Sequence, residues 1–166
     1  MTSKIKVAFS GARRASSFFK AFQSHPETEI VALCDPRPET LHEAGKATGI
    51  TQLYTVYEQM LDDAQPDAVV VSSPMHFHVP QSIAALQRHI HVLSEVTAAV
   101  SVDEARWLVQ ASNRSSAVYM MAENYIYRKE SVLVQSMVEA GLFGETYYAE
   151  GEYLHELSSL HHMPDG

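Results

Sequence analysis

The run Ser72-Ser73-Pro74-Met75-His76-Phe77-His78, followed about a dozen residues later by His91-Val92-Leu93-Ser94-Glu95, decides the fold. The first follows a short apolar run, residues 68–71, and the second contains one, residues 91–93. Short runs bounded by turn residues, with little polar alternation, read as parallel strands covered on both faces. Between them, residues 79–88 have helical spacing. Polar residues just past the carboxyl ends of neighbouring parallel strands lie where open α/β sheets bind ligands. The stretch therefore predicts a nucleotide-binding type of α/β domain whose chemistry gathers on one edge of the sheet.

The flanking sequence repeats the same unit. Residues 5–9 are apolar enough for a central strand, and Gly11 ends it. Ala15, Phe18, Phe19 and Phe22 then fall at i, i+3, i+4 and i+7, the stripe of a helix packed on a sheet. His25-Pro26 stops that helix. Residues 30–34 form a second strand, closed by Asp35-Pro36, and Pro38 suits the first turn of a short helix. Residues 53–54 read as a brief strand and 57–61 as a short helix, and Pro66-Asp67 turns into the strand quoted first. Ser101 with Glu104 forms a capping box. The helix it opens has Val102, Ala105, Leu108, Val109 and Ser112 on its expected inner face, and residues 117–122 are the next strand. Strands alternating with helices over short connections imply a parallel sheet with right-handed crossovers. The expected fold is thus α/β, a Rossmann-type doubly wound parallel sheet, over residues 1–123.

After Glu123 the pattern changes. Residues 124–129 are polar and aromatic. Residues 130–140 are helical, with Leu133, Val134, Met137 and Val138 as the stripe, ended by Gly141 and Gly144. Residues 146–154 read as one more strand, and 158–166 carry no periodic signal. A single strand cannot bury a face alone. Residues 124–166 are therefore expected to begin a second, truncated α/β domain serving substrate and oligomer contacts.

Composition narrows the function classes. A net charge of −8 argues against a nucleic-acid partner, since such proteins carry a basic footprint. No apolar stretch approaches a membrane span, and no signal-peptide core is present, so a cytoplasmic setting without membrane contact is expected. The single cysteine, Cys34, sits in a strand run and reads as a buried, inert thiol.

The first strand–helix turn is Gly11-Ala12-Arg13-Arg14-Ala15-Ser16. A dinucleotide fold wants glycines at three positions of this turn, and only the first is present. Arg13 stands where backbone must approach the phosphates; turned outward, it could add a charge-assisted contact. Taken alone, the loop fits a plain strand–helix turn equally well. Asp35 ends the second strand, where a carboxylate can accept both ribose hydroxyls of an adenosine. It favours NAD over NADP, and Arg37 nearby leaves NADP open. The alternative for Asp35 is a turn or cap residue beside Pro36. His76 and His78 lie past a strand end on the expected nicotinamide side, and each could also be a cap or a satisfied histidine. No third ligand is spaced to complete a metal site. His161-His162 lies in the unpatterned tail and is expected to be solvated. Tyr125, Tyr127 and Arg128 follow the last Rossmann strand, while Tyr153 and His155 lie on the last expected strand. Tyrosine and histidine suit proton transfer at a sugar hydroxyl. Phe18, Phe22, Trp107 and Met137 are expected in the core.

Taken together, these residues resemble the Gfo/Idh/MocA family of NAD(P)-dependent oxidoreductases. The resemblance rests on Pro74 with His78, the Ala84-Ala85-Leu86 helix, His91-Val92-Leu93-Ser94-Glu95 and Gly141-Leu142-Phe143-Gly144-Glu145. It implies an N-terminal Rossmann domain and a second domain that shapes the substrate pocket and often the oligomer interface. It further implies an enzyme that moves a hydride between NAD and a sugar- or cyclitol-like hydroxyl compound, as a homo-oligomer. Gly11, Ala12, Arg13, Asp35, Ser73, Pro74, His78 and Glu95 are the implied cofactor contacts. One departure matters: the family's common Glu-Lys-Pro is Glu95-Val96-Thr97 here, and valine cannot transfer a proton. The run Glu95-Val96-Thr97-Ala98-Ala99, with Glu123-Asn124-Tyr125 and Glu150 to His155, looks closer to a branch that includes NAD-dependent glycoside hydrolases. That branch oxidises a sugar carbon transiently, eliminates the aglycone, adds water and reduces again. Tyr125, Tyr153 and His155 are the implied catalytic residues. A third reading is a non-catalytic nucleotide-binding module. Because of Val96 and the short second domain, little or no turnover is expected from these 166 residues.

Overall fold

The computed structural model describes residues 3–154 and 156. The chain divides into two compact units, Met1–Glu123 and Asn124–Gly166. The first carries six strands, β1 (Ile5–Ser10), β2 (Thr28–Cys34), β3 (Leu53–Tyr54), β4 (Ala68–Val71), β5 (His91–Ser94) and β6 (Tyr119–Met121), in the order β3-β2-β1-β4-β5-β6. Every neighbouring pair is parallel. This is the doubly wound arrangement expected from strand–helix alternation, and its order reverses between β1 and β4.

Helices α1 (Ala12–Ser24), α2 (Pro38–Thr48), α3 (Tyr57–Ala64), α4 (His78–Gln87) and α5 (Val102–Arg114) connect the strands. Alternation along the strands splits the core in two. Val7, Phe9, Leu33 and Val70 meet Ala15 and Phe19 of α1 and Leu41 of α2 on one face. Ala8, Ala32, Val69 and Val71 meet Met60, Leu61, Val79, Leu86 and Leu108 on the other. The Phe9 ring takes Phe19 and Phe22 edge-on, with centroids 5.2 and 5.3 Å away. Phe18 and Phe22 are partly buried against that core, as their stripe required.

Three expectations fail. On α5 only Leu108 is buried, while Val102, Trp107 and Val109 are exposed. The helix packs mainly against α4, and the sheet stops at β6, so less surface exists to cover its stripe. In the second unit, α6 (Lys129–Glu139) forms but buries none of its stripe; only Met137 is partly covered. Residues 146–154 make no strand. A strand exists only through ladder hydrogen bonds, and no partner strand is present among the described residues of this unit.

Candidate functional site

The carboxyl ends of β1, β2, β4 and β5 bring the expected residues to one edge. β1 ends at Ser10, Gly11 caps α1 with φ 82°, and α1 begins at Ala12. A Cβ on Gly11 would lie 2.4 Å from the Ser72 carbonyl oxygen, so this position admits no side chain. The exits of β1 and β4 therefore touch at the point where the strand order reverses. Ala12 and Arg13, expected in a loop, are the first two residues of the helix. The first intrahelical bond runs from the Ala15 N–H to the Gly11 carbonyl, at 2.9 Å. The first turn of a helix leaves N–H groups outside its own ladder, and such an end attracts anions.

Asp35 is 3% exposed at the end of β2. Its Oδ1 accepts from the Arg37 backbone N–H at 3.1 Å and from Arg37 Nε at 3.3 Å. Asp35 thus shapes the turn before α2, the alternative reading of this aspartate, and its carboxylate stands at the sheet edge. Cys34, just before it, is buried; burial first, then Asp35 and Glu58, pushes its thiol up to about 12.

Past β4, the Ser72 hydroxyl donates to the Ser10 carbonyl at 2.7 Å. Ser73 is partly buried, and its hydroxyl donates to Gln81 Oε1 of α4 at 2.8 Å. Pro74 is exposed and leads into a single 3-10 turn, Met75–Phe77. His78 is 1% exposed. Its Nε2 lies 2.7 Å from the Ser73 carbonyl and its Nδ1 2.8 Å from the Thr97 carbonyl. Each ring nitrogen faces a backbone carbonyl, so the buried His78 ring lies between the loop after β4 and the loop after β5. His76 stays exposed, its ring 4.1 Å from that of Phe77.

Glu95 follows β5, and its N–H donates to the Val71 carbonyl at 2.8 Å. Both its carboxylate oxygens accept from Arg14 of α1, one of them from Nε at 2.8 Å. That hydrogen bond raises the Arg14 guanidinium further above its usual range. The pair spans the edge from α1 to β5. Val96, next to it, is exposed and brings no proton-transfer group.

In the second unit, the Tyr125 hydroxyl donates to that of Tyr153 at 3.1 Å, and the rings meet edge-on at 5.1 Å. The Arg128 guanidinium lies 3.9 Å from the Tyr125 ring centroid. This pairs two expected proton-transfer groups under a cation. His155 and His161-His162 lie outside the described residues. Among the described residues no group of three histidine, cysteine, aspartate or glutamate side chains could hold a metal.

Sequence reasoning missed Arg14 as the partner of Glu95, and Ser10 and Gln81 altogether. Arg14 stands in the same turn, one residue after Arg13. Ser10, a polar residue at the end of an otherwise apolar strand, was the only signal for the other pair.

The model of the oxidoreductase family with the NAD-binding Rossmann fold, GFO_IDH_MocA, matches residues 5–123. A glycosyl hydrolase family 109 protein of Shewanella pealeana is 32% identical over 163 residues, which is 92% of this chain and 36% of that protein. An alpha-N-acetylgalactosaminidase of Shewanella oneidensis is 29% identical over 163 residues, 92% of this chain and 36% of that one. The chain therefore spans about a third of the length of these relatives. Among solved structures, the WlbA dehydrogenase from Bordetella pertussis, in complex with NADH and UDP-GlcNAcA, superposes with a TM-score of 0.82 at 28% identity, covering 87% of this chain and 44% of that one. The apo scyllo-inositol dehydrogenase from Lactobacillus casei shares the fold, with a TM-score of 0.81 at 21% identity over 87% of this chain and 44% of its own.

Proposed function

Because the chain belongs to the Gfo/Idh/MocA oxidoreductase family, we propose that it binds NAD and serves hydride transfer between that cofactor and a sugar- or cyclitol-like hydroxyl compound. The observation that carries this reading is the meeting of Gly11, the start of α1 and buried Asp35 at the carboxyl edge where the strand order reverses. These residues fit a dinucleotide. Gly11 permits the close approach, the first N–H groups of α1 at Ala12 and Arg13 suit the pyrophosphate, and Asp35 suits the adenosine ribose. Ser73, Pro74 and Glu95 line the remaining edge, and His78 holds two of its loops in place. When bound, NAD supplies a hydride acceptor at the nicotinamide. Tyr125, Tyr153 and His155 are assigned the proton held at or taken from the substrate hydroxyl, with Tyr125 able to pass a proton to Tyr153 along their hydrogen bond. Relatives solved with a nucleotide sugar and named for a cyclitol support the substrate class. Self-association into a homo-oligomer and a cytoplasmic setting complete the reading; among the described residues no helix is long and apolar enough to cross a membrane.

A second reading is favoured by the family 109 relatives and by Val96: a glycoside hydrolase that oxidises its sugar transiently and restores NAD in each cycle. The two differ in net redox change. The protein is incubated with NAD and a panel of sugars, cyclitols and aryl glycosides, while reduced nicotinamide and released aglycone are followed together. NADH growing in step with substrate loss supports the dehydrogenase. Aglycone release without NADH supports the hydrolase, and absence of both signals would leave the non-catalytic nucleotide-binding module, in keeping with the low turnover expected of these 166 residues.

A further inference from the structure

Gln81 sits where no glycine-rich motif points, yet it occupies the point where the strand order reverses. Ser10 is the last residue of β1, Ser73 follows β4, and these strands are neighbours. From α4, Gln81 reaches between them, and its Oε1 accepts from the Ser10 hydroxyl at 2.9 Å and from the Ser73 hydroxyl at 2.8 Å. Its backbone carbonyl accepts from the Tyr57 hydroxyl at 3.1 Å, which fixes the α4 turn that carries it. Two donors on one amide oxygen use both of its lone pairs and set the plane of the amide. The nitrogen of that amide then carries two N–H donors in a fixed direction. Among the described residues these donors meet no acceptor, although Gln81 is partly buried. Donors held in a fixed direction at the sheet edge and left unmatched suit a ligand rich in oxygen acceptors.

We propose that Gln81 is a cofactor-binding residue whose side-chain N–H groups donate to a phosphate or ribose oxygen of the bound dinucleotide. This rests on the NAD reading and deepens it. The first strand–helix turn has Arg13 and Ser16 at two of its three glycine positions, and Gln81 provides donors from the opposite face of the same crevice. Ser10 and Ser73 are the positioning residues that aim it.

Gln81→Glu separates a binding role from a structural one. Glutamate has the same shape and keeps oxygens to accept from Ser10 and Ser73, but it loses the N–H donors and presents negative charge. Calorimetric titration with NAD, ADP-ribose and AMP is the measurement, on wild type, Gln81→Glu and the uncharged Gln81→Leu. NAD affinity is expected to fall about fivefold in Gln81→Leu, the range for losing an ordinary hydrogen bond, and about tenfold or more in Gln81→Glu, which also sets a negative charge against the ligand oxygen. The thermal midpoint of Gln81→Glu should stay near that of wild type. The shortest ligand that shows the loss marks the oxygen that Gln81 meets. NAD binding within twofold of wild type in both variants would overturn the inference and leave the cofactor reading standing. Absence of NAD binding by wild type would overturn the cofactor reading, and the inference with it.

Discussion

At Gly11 the backbone φ is 82°, and any Cβ would meet the Ser72 carbonyl oxygen at 2.4 Å. Gly11→Ala is therefore expected to destabilise the protein by more than about 1 kcal/mol, since the backbone conformation and the β1–β4 contact both oppose it. Chemical denaturation measures this. Asp35→Ala should weaken NAD binding by about 1.5–3 kcal/mol if two charged hydrogen bonds are lost. An unchanged dissociation constant would remove Asp35 from the site. Cys34 carries a pH prediction. Its thiol is raised from 9.0 to about 12 by burial, so the folded state holds the proton more tightly than the unfolded chain does. That contribution to stability is fully present below pH 9.0 and is lost as the pH climbs toward about 12. Replacing Cys34 by alanine should flatten the alkaline decline of the unfolding free energy, and a thiol reagent at neutral pH should label Cys34 only on unfolding. Local signals made Gly11 and Asp35 legible in the sequence, because each is placed by the strand it ends. Arg14–Glu95 and Gln81–Ser10 were not legible. Their partners lie 81 and 71 residues apart, and only the sheet order brings them together.

The elements divide by how much of each is decided locally. The serine half of the capping box at Ser101 forms: its hydroxyl accepts from the Glu104 N–H at 3.2 Å, while Glu104 reaches past the cap residue to accept from the Val100 N–H at 2.9 Å. Ser101→Ala should cost about 1 kcal/mol of stability, read from the denaturation midpoint. Burial on α5 is a different matter. Helical spacing fixes which residues share a face, but whether that face is covered depends on how far the sheet extends. β6 is the sheet edge, and Trp107 is left 56% exposed. Trp107 is the chain's single tryptophan, so fluorescence excited selectively at the indole, beyond the tyrosine absorption, reports on α5 alone. Its emission should resemble a solvated indole and be quenched by iodide in the native protein; a blue-shifted, protected signal would mean that α5 is covered. The strand expected at residues 146–154 failed for a related reason. Alternation records a tendency to pair, and pairing needs a second strand.

At the scale of the whole chain, repeated strand–helix alternation carried the fold. Short connections leave few ways to lay successive strands side by side, and right-handed crossovers select among them. The sheet order β3-β2-β1-β4-β5-β6 then creates one reversal point, at β1 and β4, and residues widely separated in sequence converge there. The second unit was less legible, because its helix and aromatic residues have little of their own to pack against. The central claim is that this edge is a dinucleotide site, and calorimetric titration of the chain with NAD tests it most directly. Saturable binding at one site per chain, weakened in Asp35→Ala, is the predicted result. No saturation at roughly millimolar NAD, where ordinary cofactor affinities would long have filled the site, would contradict it.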